Sequence, residues 1–324
     1  MKLPDHLQYA IDQEVEHKQL NVLSQARESL TDRYRGIKQR GPLITDDQER
    51  LSYLLTRMPA TYAANVKVWQ AIQKQAPDIE IKSLLDLGSG PGTAMWAACE
   101  LFPSIEKVTL MERDPWLMEL GKKLITNSKT DAHAFLNAQW INSDLEKVDS
   151  LTPHDAIILS YSIGELKADL IEKLLMKCWQ AANKLLIIIE PGTPVGFERI
   201  RTIRSLLIAQ QANVIAPCPN HLPCPMSHGD WCHFAARVER TSLHRRLKGG
   251  TLGYEDEKFS YVAFTKKPCF LPQARVLREP QRRSGHVILT LCTEGLCKQE
   301  TISKRHPEIY RQARKLDWGD AWEG

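Results

Sequence analysis

The sequence predicts an α/β fold in which helices cover both faces of a mostly parallel, doubly wound sheet. Short apolar segments alternate with amphipathic segments from residue 81 onward, and one of them, Lys184–Ile189, is almost continuous in Leu and Ile. Continuous apolar strands of this kind are typical of parallel sheets that are buried on both faces. In addition, a glycine-rich turn directly follows the first apolar segment, as it does in many doubly wound folds.

Residues 1–80 precede this pattern and predict a helical region at the N-terminus. Apolar residues at helical spacing predict one helix from about Leu51 to Gln75, which ends near Pro77. No internal repeat or low-complexity segment stands out in the chain.

The α/β domain is predicted to cover residues 81–267. Its strands are Ser83–Leu87, Lys107–Met111, a weaker one leading into Asn142, Asp155–Leu159, Lys184–Ile189 and Lys258–Thr265. Its helices are Thr93–Phe102, Trp116–Ile125, Lys167–Ala182 and Val195–Gln211. A cysteine-rich insertion at 217–233 interrupts this domain near its end.

Residues 268–324 differ from the rest because they are rich in Pro and Arg. One strand, His286–Leu291, is predicted here, and we expect a small β-type appendage. The tail Asp317–Trp322 is aromatic and acidic, so we expect it to dock on the body of the protein.

The chain has 324 residues and a formal net charge of +4. Its N-terminus has neither the apolar core of a signal peptide nor the acid-poor pattern of a transit peptide, which predicts a cytoplasmic protein. No apolar run reaches about eighteen residues, so we expect no transmembrane helix and no membrane partner. In a reducing compartment the eight cysteines are not expected to form a disulfide framework. The oligomeric state does not follow from the sequence.

The turn after the first strand lies in a context that indicates a cofactor loop. Glycines permit a tight turn and let backbone N–H groups approach a ligand, and the following helix N-terminus favours anionic groups. Glu112 comes about twenty residues later, at the end of the next strand, where a carboxylate can accept hydrogen bonds from ribose hydroxyls. Asp144 follows the third strand, where it can receive an adenine amino group. The candidate cofactor-binding residues are Asp86, Gly88, Ser89, Gly90, Gly92, Glu112 and Asp144.

The run Asp86-x-Gly88-x-Gly90-x-Gly92 resembles the first motif of the class I S-adenosylmethionine-dependent methyltransferases more than the GxGxxG of NAD enzymes. In that family an acid after strand two binds ribose and an Asp after strand three binds adenine, and Glu112 and Asp144 match both by position. The resemblance covers residues 80–265 and implies a Rossmann-like class I methyltransferase fold with S-adenosylmethionine as cofactor. An NAD-binding fold and a turn without a ligand are the alternatives.

The segment that follows strand four leaves the chemistry open. It lacks the (Asn/Asp)-Pro-Pro-(Tyr/Phe) motif of amino-group methyltransferases and the Pro-Cys of cytosine C5 enzymes. Tyr161 has the ring to stack a base, and Glu165 has the carboxylate to orient or deprotonate a target. These two are the candidate catalytic residues, and the alternative is a methyltransferase-like domain without activity.

Three cysteines, Cys218, Cys224 and Cys232, lie close together in Pro-rich sequence. Their spacing is wider than that of a zinc finger, and a Pro after a ligating Cys recurs in iron–sulfur proteins. A tetrahedral thiolate site needs a fourth ligand, for which the local candidates are Cys292, Cys297, Cys269 and His233. An iron–sulfur cluster is favoured over zinc, and free thiols are the remaining alternative.

The segments CPNHLPCPMSHGDWCHF, RMPATYAA and KLDWGDAW together resemble one family. It is the methyltransferase-like family associated with the mitochondrial small ribosomal subunit, with its bacterial relatives. The resemblance implies a [4Fe–4S] cluster on Cys218, Cys224, Cys232 and Cys292, and a role in assembly of the small ribosomal subunit through its ribosomal RNA.

Positive charge is concentrated behind the cysteines, where 18 Lys and Arg stand against 11 Asp and Glu from His233 onward. A basic end indicates a polyanionic partner, most simply RNA. Helical spacing is predicted to place Arg237, Arg240 and His244 on one face. The candidate RNA-binding residues are Arg237, Arg240, Arg245, Arg246 and Lys248.

Three functions therefore stay open at the level of sequence. The first is a methyltransferase that modifies ribosomal RNA. The second is a non-catalytic assembly factor that binds this RNA through a methyltransferase fold. The third is a small-molecule methyltransferase with a structural zinc ion.

Overall fold

Four helices begin the chain in the computed structural model, which describes residues 1–16, 19–34, 44, 46–227 and 229–323. They are α1 (Asp5–Val15), α2 (Leu20–Tyr34), α3 (Asp47–Thr56) and α4 (Met58–Gln75). The prediction of a single helix from Leu51 to Gln75 is wrong, because the helix is interrupted at Arg57 and two helices form. Pro59 begins a new helix there, since a proline lacks the N–H that a continuing helix needs.

The predicted α/β fold is confirmed. Its elements are β1 (Ser83–Leu87), α5 (Thr93–Leu101), β2 (Lys107–Glu112), α6 (Pro115–Ser128), α7 (His133–Leu136), β3 (Gln139–Asn142), β4 (His154–Ser160), α8 (Ala168–Ala181), β5 (Ala182–Pro191), α9 (Pro194–Ala209), β6 (Asn213–Ala216), β7 (Phe234–Glu239), α10 (Ser242–Lys248) and β8 (Tyr254–Thr265). The first five strands are parallel in the order β3-β2-β1-β4-β5, and the antiparallel β8 continues the sheet to β6 and β7. This is a doubly wound, class I Rossmann-like sheet, in which ligands bind beyond the carboxyl ends of the parallel strands.

The C-terminal residues form a second sheet, which confirms the predicted β-type appendage. Its elements are β9 (Ala274–Val276), β10 (Gln281–Arg282), β11 (His286–Cys292), β12 (Cys297–Ser303), α11 (Pro307–Ala313) and β13 (Ala321–Trp322). The chain end docks as predicted, because β13 pairs with β9 and the ring of Trp322 is buried in the core of this sheet.

The core lies on both faces of the large sheet. The central strands β1, β2, β4 and β5 are mostly apolar, so that Leu84 and Ile187 pack on one face while Leu85 and Ile188 pack on the other. The edge strand β3 is mostly exposed. The N-terminal helices cover the first of these faces. They thereby bring α3 and α4 over the carboxyl ends of the strands.

Candidate functional site

The glycine-rich turn is held in a conformation that only glycine adopts without strain. Gly88, Gly90 and Gly92 have φ values of +68°, +54° and +83°. The backbone N–H of Gly88 donates to the carbonyl of Met111 at 2.8 Å, which ties the turn to the end of β2. A Cβ atom on Gly88 would also lie 2.5 Å from the Cβ of Ser162. The turn is therefore fixed both by its dihedral angles and by close packing.

Two carboxylates border this turn where the sequence predicts them. One Glu112 oxygen accepts from the backbone N–H of Gly90 at 2.8 Å, and the other accepts from that of Asp114 at 2.9 Å. Each oxygen keeps a lone pair for a ligand hydroxyl. Asp144 lies two residues beyond β3 and accepts from the backbone N–H of Glu146 at 3.0 Å. Both side chains are thus oriented by backbone groups.

These elements enclose a cavity of about 530 Å³ at the carboxyl ends of the strands, which we call the cofactor cavity. The predicted residues that line it are Gly88, Gly90, Glu112, Asp144, Tyr161 and Glu165. Asp86, Ser89 and Gly92 do not line the wall. The N-terminal helices, which were not predicted to take part in the site, also supply Arg50, Tyr53, Arg57 and Thr61. Of these four residues, Arg57 and Thr61 lie within the motif RMPATYAA, whereas no sequence signal marks Arg50 or Tyr53.

Asp86 lies under the turn with only 1% of its surface exposed. Burial raises the pKa of its carboxyl to about 7, although a hydrogen bond from the backbone of Met95 opposes this effect and the charge of Glu112 adds to it. Its Oδ2 has no hydrogen-bond partner among the described residues. Such buried acceptors without a donor are rare, so the burial of Asp86 under the turn is unusual.

Tyr161 belongs to a half-buried group of three residues at one side of the cofactor cavity. Its hydroxyl donates to Glu257 at 3.1 Å, and the guanidinium of Arg57 pairs with both oxygens of the same carboxylate at 3.1 and 3.2 Å. Burial raises the pKa of Tyr161 well above its ordinary value, so the hydroxyl stays protonated at neutral pH. The Tyr161 hydroxyl is therefore a hydrogen-bond donor and does not act as a proton-accepting base.

Glu165 lies at the mouth of the same cavity and pairs with Arg113 at 2.7 Å. Its side chain retains 31% of its exposure. Burial of the carboxyl raises its pKa to about 7, against the lowering effect of Arg113. A carboxyl with a pKa near neutrality has the properties of a general base.

A second, smaller cavity of about 40 Å³ lies between α9, the cysteine-rich loop and the second sheet. We call it the thiol cavity. Five cysteines line it: Cys218, Cys224, Cys232, Cys292 and Cys297. The structure thus brings the four predicted ligands to one place and adds Cys297. The other two candidates lie elsewhere, since the thiol of Cys269 faces the carbonyl of Val214 at 3.6 Å and the ring of His233 stacks on Trp231.

The thiols of this cavity have few polar partners. The guanidinium of Arg204 lies 3.2 Å from the sulfur of Cys218. Burial raises the pKa of Cys224, and raises that of Cys232 well above its ordinary value. A hydrogen bond from Cys292 lowers the pKa of Cys297 to about 7. In the part of the chain that the structure describes, no three metal-binding side chains lie close enough to hold one ion, so the metal site stays a prediction.

The predicted basic face does not have the predicted geometry. Arg237 lies on β7 and not on a helix, and it pairs with Asp256 on β8 at 2.9 Å. Arg240 and Lys248 both pair with Glu255, each at 2.7 Å. The helical face predicted for Arg237, Arg240 and His244 is therefore wrong, because the chain is extended at the first of these residues.

Three of the five basic candidates, Arg237, Arg245 and Arg246, remain exposed, and Arg237 is the one of these that pairs with an acid. Arg245 and Arg246 lie on the outer side of α10. Within the described ranges neither side chain forms an ion pair, so their charges are not neutralised by a neighbour.

The sheet order, the glycine-rich turn and the cavity above it define a protein of the class I methyltransferase fold. Residues 47–323 match the family described as "Mitochondrial small ribosomal subunit Rsm22", and the chain belongs to this family. The family membership and the fold, both predicted from the sequence, are therefore confirmed.

Similar proteins are described as ribosome assembly proteins. The chain is 25% identical over 290 residues to human "Ribosome assembly protein METTL17, mitochondrial", covering 83% of the chain and 61% of that protein. It is 26% identical over 326 residues to "Rsm22-cox11 tandem protein 2, mitochondrial" of Schizosaccharomyces pombe, covering 85% and 43%. The chain thus spans less than two thirds of the length of each relative.

Solved methyltransferase structures are similar at low identity. One is the magnesium protoporphyrin IX methyltransferase of Synechocystis with bound S-adenosylmethionine, at 12% identity and a TM-score of 0.42, covering 78% of this chain and 100% of the other. Another is the N-methyltransferase NodS of Bradyrhizobium japonicum, at 10% identity and a TM-score of 0.42, covering 76% and 100%.

The predicted cytoplasmic location is wrong. The family and both relatives carry mitochondrial descriptions. The acidic N-terminal residues belong to α1, whose other face is buried through Leu7 and Ile11, so they reflect the packing of a helix and not a location. None of the helices in the described segments is both long and apolar enough to cross a bilayer.

Proposed function

We propose that this protein assists assembly of the small ribosomal subunit, binds S-adenosylmethionine in the cofactor cavity and contacts ribosomal RNA. The observation that carries the proposal is the cofactor cavity itself, built within a chain of the Rsm22 family. Its walls come from the strand ends and from α3 and α4, both of which lie inside the matched residues.

The residues of the cavity fit this cofactor. The two oriented oxygens of Glu112 are acceptors that suit a ribose diol. A Cβ atom on Gly90 would face open space, with the Tyr53 hydroxyl as its nearest neighbour at 3.9 Å, so the backbone of the turn can approach a ligand closely. Asp144 lines the same cavity and is the acceptor that we propose for the adenine amino group. When bound, S-adenosylmethionine supplies an electrophilic methyl group.

A test of cofactor binding is calorimetric titration of the full chain with S-adenosylhomocysteine. We expect saturable binding that Gly90→Arg abolishes, because the arginine side chain fills the cavity. Equal binding by both proteins would contradict the assignment of the cavity.

Ribosomal RNA is the partner that the unneutralised basic residues support. Arg245 and Arg246 project from α10, and a second group, Arg283, Lys304 and Arg305, lies in exposed turns of the second sheet. Arginine and lysine without carboxylate partners bind phosphates, and the affinity of such contacts falls steeply with salt. Binding of the full chain to small-subunit RNA should therefore weaken strongly as the salt concentration rises.

The thiol cavity supports a resident [4Fe–4S] cluster with Cys218, Cys224, Cys232 and Cys292 as ligands. The donors are soft thiols, and neither a carboxylate nor an imidazole lines the cavity, which suits an iron–sulfur cluster or zinc. The cluster would tie the cysteine-rich loop to the second sheet, so that folding and metal binding are coupled.

Anaerobic purification with quantitation of iron, sulfide and zinc tests this part. We expect a brown protein whose chromophore and thermal stability both fall in Cys224→Ser. Cys269→Ser is the matched control, because that thiol faces Val214 and not the cavity. A colourless protein with one zinc ion per chain would contradict the cluster and indicate a zinc site instead.

A second candidate function, methylation of ribosomal RNA, is favoured by Glu165. Its carboxyl lies at the mouth of the cavity with a pKa near 7, and it can accept a proton from an entering target. Transfer of labelled methyl groups to small-subunit RNA, lost in both Gly90→Arg and Glu165→Gln, would support catalysis. RNA binding without any methylated product would leave the assembly role alone.

A further inference from the structure

The hairpin that joins β11 to β12 places two cysteines directly opposite each other. Its turn is Glu294–Gly295, with Gly295 at a φ of +82°. The backbone N–H of Thr293 donates to the carbonyl of Leu296 at 2.9 Å, so these two residues form a hydrogen-bonded pair. The next pair along the ladder is Cys292 with Cys297.

The position of this pair in the ladder brings the two side chains close together. Because pairs alternate along an antiparallel ladder, Cys292 and Cys297 form a non-hydrogen-bonded pair, in which Cα atoms are about 4.5 Å apart. Disulfides form across Cα separations of about 4.4 to 6.8 Å. Among the described residues this is the one pair of cysteines that face each other across a strand pair.

The two cysteines of this pair differ in their exposure to solvent. Cys297 is exposed, whereas Cys292 is half-buried and lines the thiol cavity. An oxidant therefore reaches Cys297 first, and the second thiol is in place to react with the product.

We propose that Cys292 and Cys297 form an oxidation site, which a peroxide converts into a cross-strand disulfide. The sulfur of Cys297 attacks one peroxide oxygen, the O–O bond breaks, and a sulfenic acid forms with release of one water. The sulfur of Cys292 then attacks the sulfenic sulfur and releases the second water. Two thiols are oxidised by two electrons and one hydrogen peroxide is reduced to two waters. A cellular dithiol reverses the reaction.

The disulfide has a consequence for the thiol cavity, and this consequence rests on the proposed cluster. Cys292 is one of the four proposed ligands, and a sulfur bound in a disulfide cannot ligate a metal as a thiolate. Oxidation of the pair and occupation of the cavity by a four-cysteine cluster therefore exclude each other.

The tryptic map of the chain offers a direct test. Cleavage after Arg283 and Lys298 releases Ser284–Lys298, which contains Cys292 and Cys297 and no other cysteine. The full chain is treated with hydrogen peroxide, its free thiols are alkylated, and the digest is analysed by mass spectrometry. We expect this peptide to change from two alkyl groups to none, with a mass lower by two hydrogen atoms than the reduced, unalkylated peptide. Dithiothreitol before alkylation should restore both groups.

Two variants make the test specific. Cys297→Ser should eliminate the species that lacks two hydrogens, whereas Cys269→Ser should leave its formation unchanged. The proposal is overturned if the wild-type peptide keeps both alkyl groups after peroxide, or if Cys292 is found linked to the peptide of another cysteine. Iron and sulfide are measured on the same samples. A disulfide in a protein without iron would support the oxidation site and refute the cluster. Failure of the oxidation site and failure of the proposed cluster can therefore be distinguished.

Discussion

Glu112 is the residue at which the proposed cofactor site is most sharply tested, because its two oxygens have different and known partners. In Glu112→Gln the side-chain carbonyl can still accept one backbone hydrogen bond. The amide NH₂ then faces the other backbone N–H, donor against donor, so that either the Gly90 or the Asp114 contact is lost. The same NH₂ also replaces one acceptor for the ribose.

The magnitude follows from these contacts. A hydrogen bond to a charged group contributes about 1.5 to 3 kcal/mol. Loss of one such bond to the ligand predicts a Kd for S-adenosylhomocysteine that rises about ten- to hundredfold. Loss of the backbone contact predicts that the free energy of unfolding of the unliganded protein falls by a similar amount.

The assay is calorimetric titration of both full-length proteins, with thermal unfolding measured on the same samples. Glu165→Gln, measured at about pH 8 so that this carboxyl with a pKa of about 7 is mainly ionised, is the charge-matched control. It removes a negative charge from the same cavity without a contact to the glycine-rich turn. We expect the control to bind within about threefold of the original protein, which is under 1 kcal/mol. An unchanged Kd in Glu112→Gln would refute the role of Glu112. An equal loss of affinity in both variants would show that the effect comes from the net charge of the cavity and not from the contacts of Glu112.

Three further predictions rest on other residues. In denaturant titration, Gly88→Ala should lower the free energy of unfolding by several kcal/mol, whereas Gly90→Ala should lower it much less. Both alanines would adopt a strained left-handed conformation, but only the one at position 88 would also lie 2.5 Å from a buried side chain. Equal losses in the two variants would contradict this prediction. Because burial raises the pKa of Asp86 from 3.8 to about 7, the protonated carboxyl favours folding at low pH, and about 4 kcal/mol of stability should be lost as the pH rises from about 4 to 7. Asp86→Asn should flatten that part of the pH profile of unfolding, and an unchanged slope would argue against a buried neutral acid. Reversing Arg245 and Arg246 to Glu should weaken binding to small-subunit RNA at least tenfold in filter binding and lower its salt dependence, whereas no change would exclude this face.

The elements that the sequence predicts correctly are those with a strong local pattern. The central strands β1, β2, β4 and β5 are predicted to within a few residues because they are apolar on both faces and end at polar residues or glycine. The sequence prediction misses β6 and β7 of the same sheet. Glu112 and Asp144 are predicted because in a parallel sheet the positions after successive strands meet at one edge. The break at Arg57 is missed because apolar residues continue at helical spacing through both α3 and α4.

Contacts between distant segments have no such local pattern. Arg57, Tyr161 and Glu257 come from three parts of the chain, and the bidentate pair joins residues two hundred positions apart. Nothing in the immediate sequence of Glu257 distinguishes it from a solvated acid. Only the pairing of β8 with β5 and β7, together with the placement of α4 above the sheet, brings the three groups to one wall. The proline in RMPATYAA starts α4 at the right residue and thereby positions the arginine.

For the candidate RNA-binding residues, the sequence likewise does not predict which distant acidic residues pair with them. The sequence records an excess of positive charge after His233 but does not record which acids neutralise it. In the structure β7 pairs with β8 so that Arg237 faces Asp256 across the two strands, and Glu255 receives Arg240, Lys248 and the ring of His244. Those three partners hold the pKa of the Glu255 carboxyl far below its usual range, although burial opposes them. A carboxylate that is ionised at every physiological pH keeps its cations occupied, so these residues stabilise the junction of α10 with the sheet. The charge left for a polyanion is then carried by side chains that no acid contacts, which places the RNA-binding prediction on Arg245 and Arg246.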